Sequence, residues 1–264
     1  MVSGIQHLQR PRAVTFDCWA TLIYEVNTHN APEARVRIVA EHAGVPPEEA
    51  RAALRASWRR HQILWHHGVA FTAVDMTKQT LETLGVKLDD ARQSELIAAL
   101  ENEALGHDVL ALDGARDLLT ALARAGVRRA LICDTGFTPG RVVRQLLERV
   151  GLLEFLETTA FSDEIGVPKP NPKMFLTVLS TLDVAPLAAV HVGDLRRSDV
   201  AGAKKVEMGT IRLRALHDDT GEAIGRQAGV IDCMAAGCMP PCERPEADAV
   251  ADSHRHLSEL LGFG

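Results

Sequence analysis

Val14-Thr15-Phe16-Asp17-Cys18-Trp19-Ala20-Thr21 closes a short apolar run, Ala13 to Phe16, on a carboxylate. Such a run reads as a buried strand that delivers Asp17 at its C-terminal end. Three later stretches have a similar arrangement. Ala130-Leu131-Ile132-Cys133 leads into Asp134-Thr135-Gly136, Gly166-Val167-Pro168-Lys169-Pro170 carries a lysine, and Ala188-Ala189-Val190-His191-Val192 leads into Gly193-Asp194, with Asp199 further on. Ligands of open parallel sheets bind beyond the carboxyl ends of the strands, so these polar groups are expected to converge on one site. A carboxylate, a hydroxyl, a lysine and an acidic pair suit metal-assisted displacement.

Outward from these strands, the pattern after Asp108 alternates. Helices are expected over Asp113 to Arg124, Pro139 to Val150, Pro172 to Leu182 and Ser198 to Val206. Strands are expected over Arg129 to Cys133, Glu157 to Phe161, Ala188 to Val192 and Thr210 to Leu213, with a last one near Ala247 to Ala251. Alternation of this kind predicts an α/β fold, a parallel sheet with helices on both faces. Between Ala31 and Asp108 the pattern is helical throughout: Ala31 to His42, Pro47 to His67, Thr72 to Leu84 and Asp89 to Leu105, with Gly44, Gly85 and Gly106 as stops. Leu216 to Glu246, rich in glycine and proline, reads as an irregular insertion.

Composition narrows the function classes. With 264 residues, 46% hydrophobic and 24% charged, the chain can hold one sizeable core and a modest second unit. A formal net charge of −6 with no basic stripe argues against a nucleic-acid scaffold. No apolar run approaches the ~20 residues needed to span a bilayer, and no basic-then-apolar leader opens the chain. The five cysteines suit a reducing compartment better than a disulfide framework. A cytoplasmic enzyme acting on a small molecule is the expectation, with no nucleic acid, no membrane, and assembly as a homodimer left open.

In this order and context, the strand-end residues resemble the haloacid dehalogenase (HAD) superfamily, mostly phosphatases that pass through an aspartyl-phosphate. The resemblance covers Ala13 to Thr21, then roughly Leu110 to Leu213, and the last strand. Lys169 within Val167-Pro168-Lys169-Pro170-Asn171-Pro172 and Asp194 within His191-Val192-Gly193-Asp194-Leu195-Arg196-Arg197-Ser198-Asp199 are its most specific parts. It implies a HAD-like Rossmannoid core, residues 1–28 and 109–264, and a helical-bundle cap, residues 29–108. It further implies Asp17 as nucleophile and bound Mg2+, with the carboxylates of Asp17 and Asp194 and the backbone carbonyl of Trp19 as ligands. Lys169 would neutralise nucleophile and phosphoryl group, and Asp199 would be a partner of Lys169 or of metal-bound water. Thr21 would orient Asp17. A hydroxyl is expected at the end of the second strand, where Thr135 is the choice and Cys133 the alternative.

One departure bears on the reaction. Phosphatases of this superfamily carry a second aspartate two residues after the nucleophile, and here that position is Trp19. General acid–base help of that kind contributes ~10²–10⁴ in rate. A Mg2+-dependent phosphatase acting on a small phosphorylated metabolite is the leading expectation, because the acidic motif at Asp194 and Asp199 survives. Haloacid dehalogenases carry an aromatic residue at the position of Trp19, so a carbon–halogen hydrolase is the alternative, and a catalytically impaired binding protein is the third reading. Phosphonate-cleaving relatives need a cap lysine, for which only Lys78 and Lys87 are available. His61, His66 and Asp75 are the candidate substrate contacts and replacement acids. Cys233, Cys238 and Cys242 could bind zinc only with His217, His254 or His256 as fourth ligand, and their spacing is not that of a zinc ribbon. They are expected to be inert.

Overall fold

The computed structural model describes residues 8–26, 30–219 and 244–263. Its centre is a six-stranded parallel sheet. β1 (Ala13–Phe16) is followed by a short strand β2 (Ile23–Glu25), to which β3 (Val109–Ala111) returns antiparallel, the two forming a separate ribbon. The sheet is completed by β4 (Arg128–Cys133), β5 (Thr158–Phe161), β6 (Ala189–Gly193), β7 (Gly209–Leu213) and β8 (Ala249–Ala251). Its spatial order is β5-β4-β1-β6-β7-β8. The chain winds to one side of β1 through β4 and β5, then crosses to β6 on the other side. That reversal opens a crevice at the carboxyl ends of the strands, and Asp17 is the first residue beyond β1.

Between β2 and β3 lies a block of four helices: α1 (Asn30–Ala43), α2 (Pro47–His66), α3 (Ala73–Leu84) and α4 (Asp90–Asn102). It has its own apolar cluster of Val36, Val39, Ala50, Leu54, Met76, Leu81, Leu96 and Leu100. Phe137, from the loop after β4, is buried in the same cluster and stacks on Trp58 at 6.1 Å between centroids. The expected starts at Thr72 and Asp89 are the N-caps of α3 and α4, whose side chains accept from Asp75 N and Arg92 N. Gly85, at φ 66°, ends α3 in the left-handed conformation that glycine adopts without steric cost.

Side chains alternate between the two faces of the sheet. Val14, Phe16, Leu131, Cys133, Val190 and Val192 join one cluster, covered by α5 (Ala115–Arg124), α6 (Gly140–Arg149) and α10 (His254–Leu260). Ala13, Ala130, Ile132 and Ala160 join a second, covered by α8 (Pro172–Leu182) and α9 (Ala201–Lys205). A one-turn helix, α7 (Ser162–Ile165), follows β5. The predicted two-faced parallel sheet is therefore realised.

Three local readings change. Leu105 falls in a 3₁₀ turn, Glu103–Gly106, rather than in α4. The helix expected from Ser198 opens earlier, as a π turn over Arg196–Val200 that runs into α9. The β2–β3 ribbon has no counterpart in the expected elements, because three-residue strands are too short to show alternation. Residues 220–243, with Cys233, Cys238 and Cys242, lie outside the described residues. No helix among the described residues is long and apolar enough to cross a membrane.

Candidate active site

Asp17, Lys169, Asp194 and Asp199 come together beyond β1, β4 and β6. The Asp17 amide donates to Val192 O at 2.8 Å, which ties the turn after β1 to β6. Lys169 is 2% exposed, and its Nζ donates to Asp17 Oδ1 at 2.5 Å, Asp199 Oδ1 at 2.6 Å and Ile132 O at 3.1 Å. Asp199 also accepts from Leu195 N at 3.0 Å, and His191 Nε2 lies 3.3 Å from its Oδ1. His191 in turn shares a 2.8 Å hydrogen bond with Thr15 Oγ1. A Cβ on Gly193 would lie 2.3 Å from Asp199 Cγ, so the close approach of this carboxylate requires glycine.

The four charges are unequal. Burial alone would raise Asp199, but Lys169 and the His191 hydrogen bond outweigh it and hold the carboxyl well below its usual range. Burial raises Asp17, Lys169 opposes this, and Asp199 and Asp194 add repulsion, leaving it well above the ordinary value. Burial also raises Asp194, against a 3.0 Å contact from His217 Nε2. Burial would lower Lys169, but Asp17, Asp199 and Asp134 raise it, so the ammonium is retained.

Three carboxylates face one ammonium here. One ligand oxygen from each of Asp17, Asp194 and Asp199 lies within 4.8 Å of the others. An all-oxygen donor set with excess negative charge, two members of which are pushed toward protonation, suits a hard divalent cation such as Mg2+. The residues fit the ion that the fold family implies.

The remaining candidates are more scattered. The Thr135 hydroxyl is 3.0 Å from Ser162 Oγ and donates to Asp163 Oδ1 at 3.1 Å, so its hydrogen bonds run to the start of α7. Cys133 is buried at the end of β4, and its thiol is pushed up by its hydrogen bond with Cys18, by burial and by the Asp17 charge. Thr21 is fully buried, and its hydroxyl finds no hydrogen-bond partner among the described residues. Trp19 packs against the sheet cluster and pairs with Ile23 as an isolated bridge.

Of the helical-block candidates, His61 points Nδ1 at Phe71 O (2.8 Å) and stacks on Trp58, and burial lowers its pKa. Asp75 completes a capping box with Thr72, accepting from its N and Oγ1 at 2.9 and 2.8 Å. His66 is half-buried, and burial, then Arg197 and Arg244, lower its pKa to about 4. Lys78 and Lys87 are exposed. Sequence reasoning did not foresee the contacts that join the helical block to the sheet. Asp134 accepts from Lys169 N and from Trp65 Nε1, each at 2.8 Å, and the Arg197 guanidinium lies 3.3 Å from the Trp65 ring centroid. The only signal available was the aromatic and basic content of Trp58 to His67.

Residues 11–207 match the family of haloacid dehalogenase-like hydrolases, and the chain belongs to that family. It is 43% identical over 79 residues to a glyceraldehyde 3-phosphate phosphatase of Methanopyrus kandleri, a stretch covering 29% of this chain and 34% of that relative. The match thus spans about a third of that relative's length. With a phosphoglycolate phosphatase of Pseudomonas putida it is 28% identical over 251 residues, 92% of this chain and 85% of the relative. The crystal structure of a 2-haloacid dehalogenase from Pseudomonas syringae superposes with a TM-score of 0.65 at 22% identity, covering 94% of this chain and 97% of that one, which is a likeness of fold alone.

Proposed function

We propose that this chain is a Mg2+-dependent phosphatase acting on a small phosphorylated metabolite through an aspartyl-phosphate on Asp17. The observation that carries the reading is the Lys169 ammonium between Asp17 and Asp199, with Asp194 completing a tight acidic cluster. The phosphatase names of both relatives support it. Lys169 holds Asp17 Oδ1, which leaves Oδ2 to attack phosphorus in line while the ester oxygen departs; water then cleaves the acyl-phosphate and restores the carboxylate. Asp199 keeps the ammonium over the nucleophile and counters its burial. Thr135 is the hydroxyl donor expected after β4, engaged here with Ser162 and Asp163, and Cys133, whose thiol donates to Asp134 O at 3.3 Å, is the alternative. Asp17, Asp194 and the backbone carbonyl of Trp19 would hold Mg2+, which neutralises phosphate charge when bound. The helical block, residues 29–108, acts as the cap that shields the site from water and carries substrate contacts.

Trp19 favours a second reading, a carbon–halogen hydrolase, because halide leaves without a proton and residue 19 offers none. One screen separates the two: aryl, acyl and sugar phosphates and 2-haloacids, each with metal-stripped and Mg2+-reconstituted protein. Mg2+-dependent phosphate release, lost to background in Asp17→Asn, is the expected result. Haloacid turnover without metal would establish the alternative, and wild-type rates in a folded Asp17→Asn protein would remove Asp17 as nucleophile.

A further inference from the structure

We propose that Asp134 is a positioning residue which, through the indole of Trp65, registers closure of the helical block against Lys169. The inference rests on the reading of Lys169 as the group that aligns Asp17. Asp134 follows β4 and uses its two oxygens on different parts of the molecule. Oδ1 accepts the backbone N–H of Lys169 and Oδ2 accepts the indole N–H of Trp65, both at 2.8 Å. Trp65 lies in the last turn of α2, and Arg197 covers its ring at 3.3 Å from the centroid. Arg197 belongs to the π turn that also carries Asp199. One side chain of the helical block is therefore held at its edge by the neighbour of Lys169 and over its face by the segment bearing Asp199, the two residues joined through the Lys169 ammonium.

A charge-assisted hydrogen bond in a buried setting is among the stronger polar contacts, and a cation over an indole adds to it. If α2 moves away, the Asp134 carboxylate loses one of its two donors and the backbone of Lys169 loses its fixed anchor. Closure of the block and alignment of the lysine are in this way one event. Both Asp134 oxygens are engaged, on Lys169 N and on the Trp65 indole, so its part is to hold Lys169 in register.

Trp65→Phe removes the N–H together with the five-membered ring of the indole and keeps a six-membered ring for Arg197. Asp134→Asn keeps a carbonyl oxygen for Lys169 N and sets an amide NH2 against the indole donor. Each should lower kcat/KM on an aryl phosphate roughly tenfold or more, chiefly in kcat. The double variant should fall no further than the weaker single, since both remove one contact. Acrylamide should quench the Trp65 emission, defined by difference from Trp65→Phe, more strongly in folded Asp134→Asn than in wild type. Losses that multiply in the double variant, or unchanged quenching, would overturn the proposal. Should Asp134→Asn fail to fold, Trp65→Phe alone decides, and an unchanged kcat overturns it. If wild type turns over no phosphate ester, the quenching arm still decides: raised quenching keeps the latch while the phosphatase reading falls, and unchanged quenching removes the latch.

Discussion

Asp17 stands beside a lysine that is 2% exposed, while the residue two positions on, Trp19, packs against the sheet and offers no proton. On the phosphatase reading, charge must then build on the departing oxygen, and its stabilisation follows the leaving group's own pKa. Aryl phosphates should react faster than matched alkyl phosphates by something near the ~10²–10⁴ that a positioned acid contributes. Steady-state rates on a matched pair test this, and similar rates would show another group donating the proton. At this scale the charged members of the site were readable, because Asp17, Lys169, Asp194 and Asp199 each follow a recognisable apolar run or stiff turn. The choice between Thr135 and Cys133 was left open there. Cys133 and Thr135 are two residues apart, and only the bonds of Thr135 to Ser162 and Asp163 show which way its hydroxyl turns.

Among the elements, the end of β6 is the most constrained. Gly193 has no room for a Cβ against Asp199, and the π turn over Arg196–Val200 feeds that carboxylate back toward Lys169. Gly193→Ala should therefore displace Asp199, lower stability by about 1–3 kcal/mol as overpacking does, and lower turnover with it. Urea unfolding and kcat on the purified variant measure both, and unchanged values in each would show that the strand end yields without moving Asp199. The long helices and central strands were legible from periodicity and from their caps, as at Thr72, Asp89 and Gly85. The ribbon of β2 and β3 and the short α7 were not, since three or four residues carry too little pattern against the pull of their neighbours.

For the molecule as a whole, the contact between the helical block and the sheet makes a pH signature. His66 sits there half-buried, its pKa lowered to about 4 from the ordinary 6.5 by burial and then by Arg197 and Arg244. As pH falls below 6.5 the unfolded chain takes up this proton first, so the stabilisation present at neutral pH is lost progressively down to about pH 4. His66→Gln should accordingly gain in melting temperature relative to wild type as pH is lowered through that window, other groups cancelling in the comparison. A difference that stays constant from pH 7 to about 4 would show that His66 titrates normally. Local order in the chain already contained the α/β class, the helical block between the strand ending at Asp17 and the strand ending at Cys133, and the charged residues of the site, because hydrophobic period, caps and strand-end carboxylates are properties of neighbours in sequence. Which of those residues meet was decided by the tertiary structure. Lys169 reaches Asp17 and Asp199 only because β1 lies between β4 and β6, and Asp134 meets Trp65 only because α2 folds back over the strand ends. Contacts across such separations depend on how the layers pack, and packing leaves no period in the sequence to read.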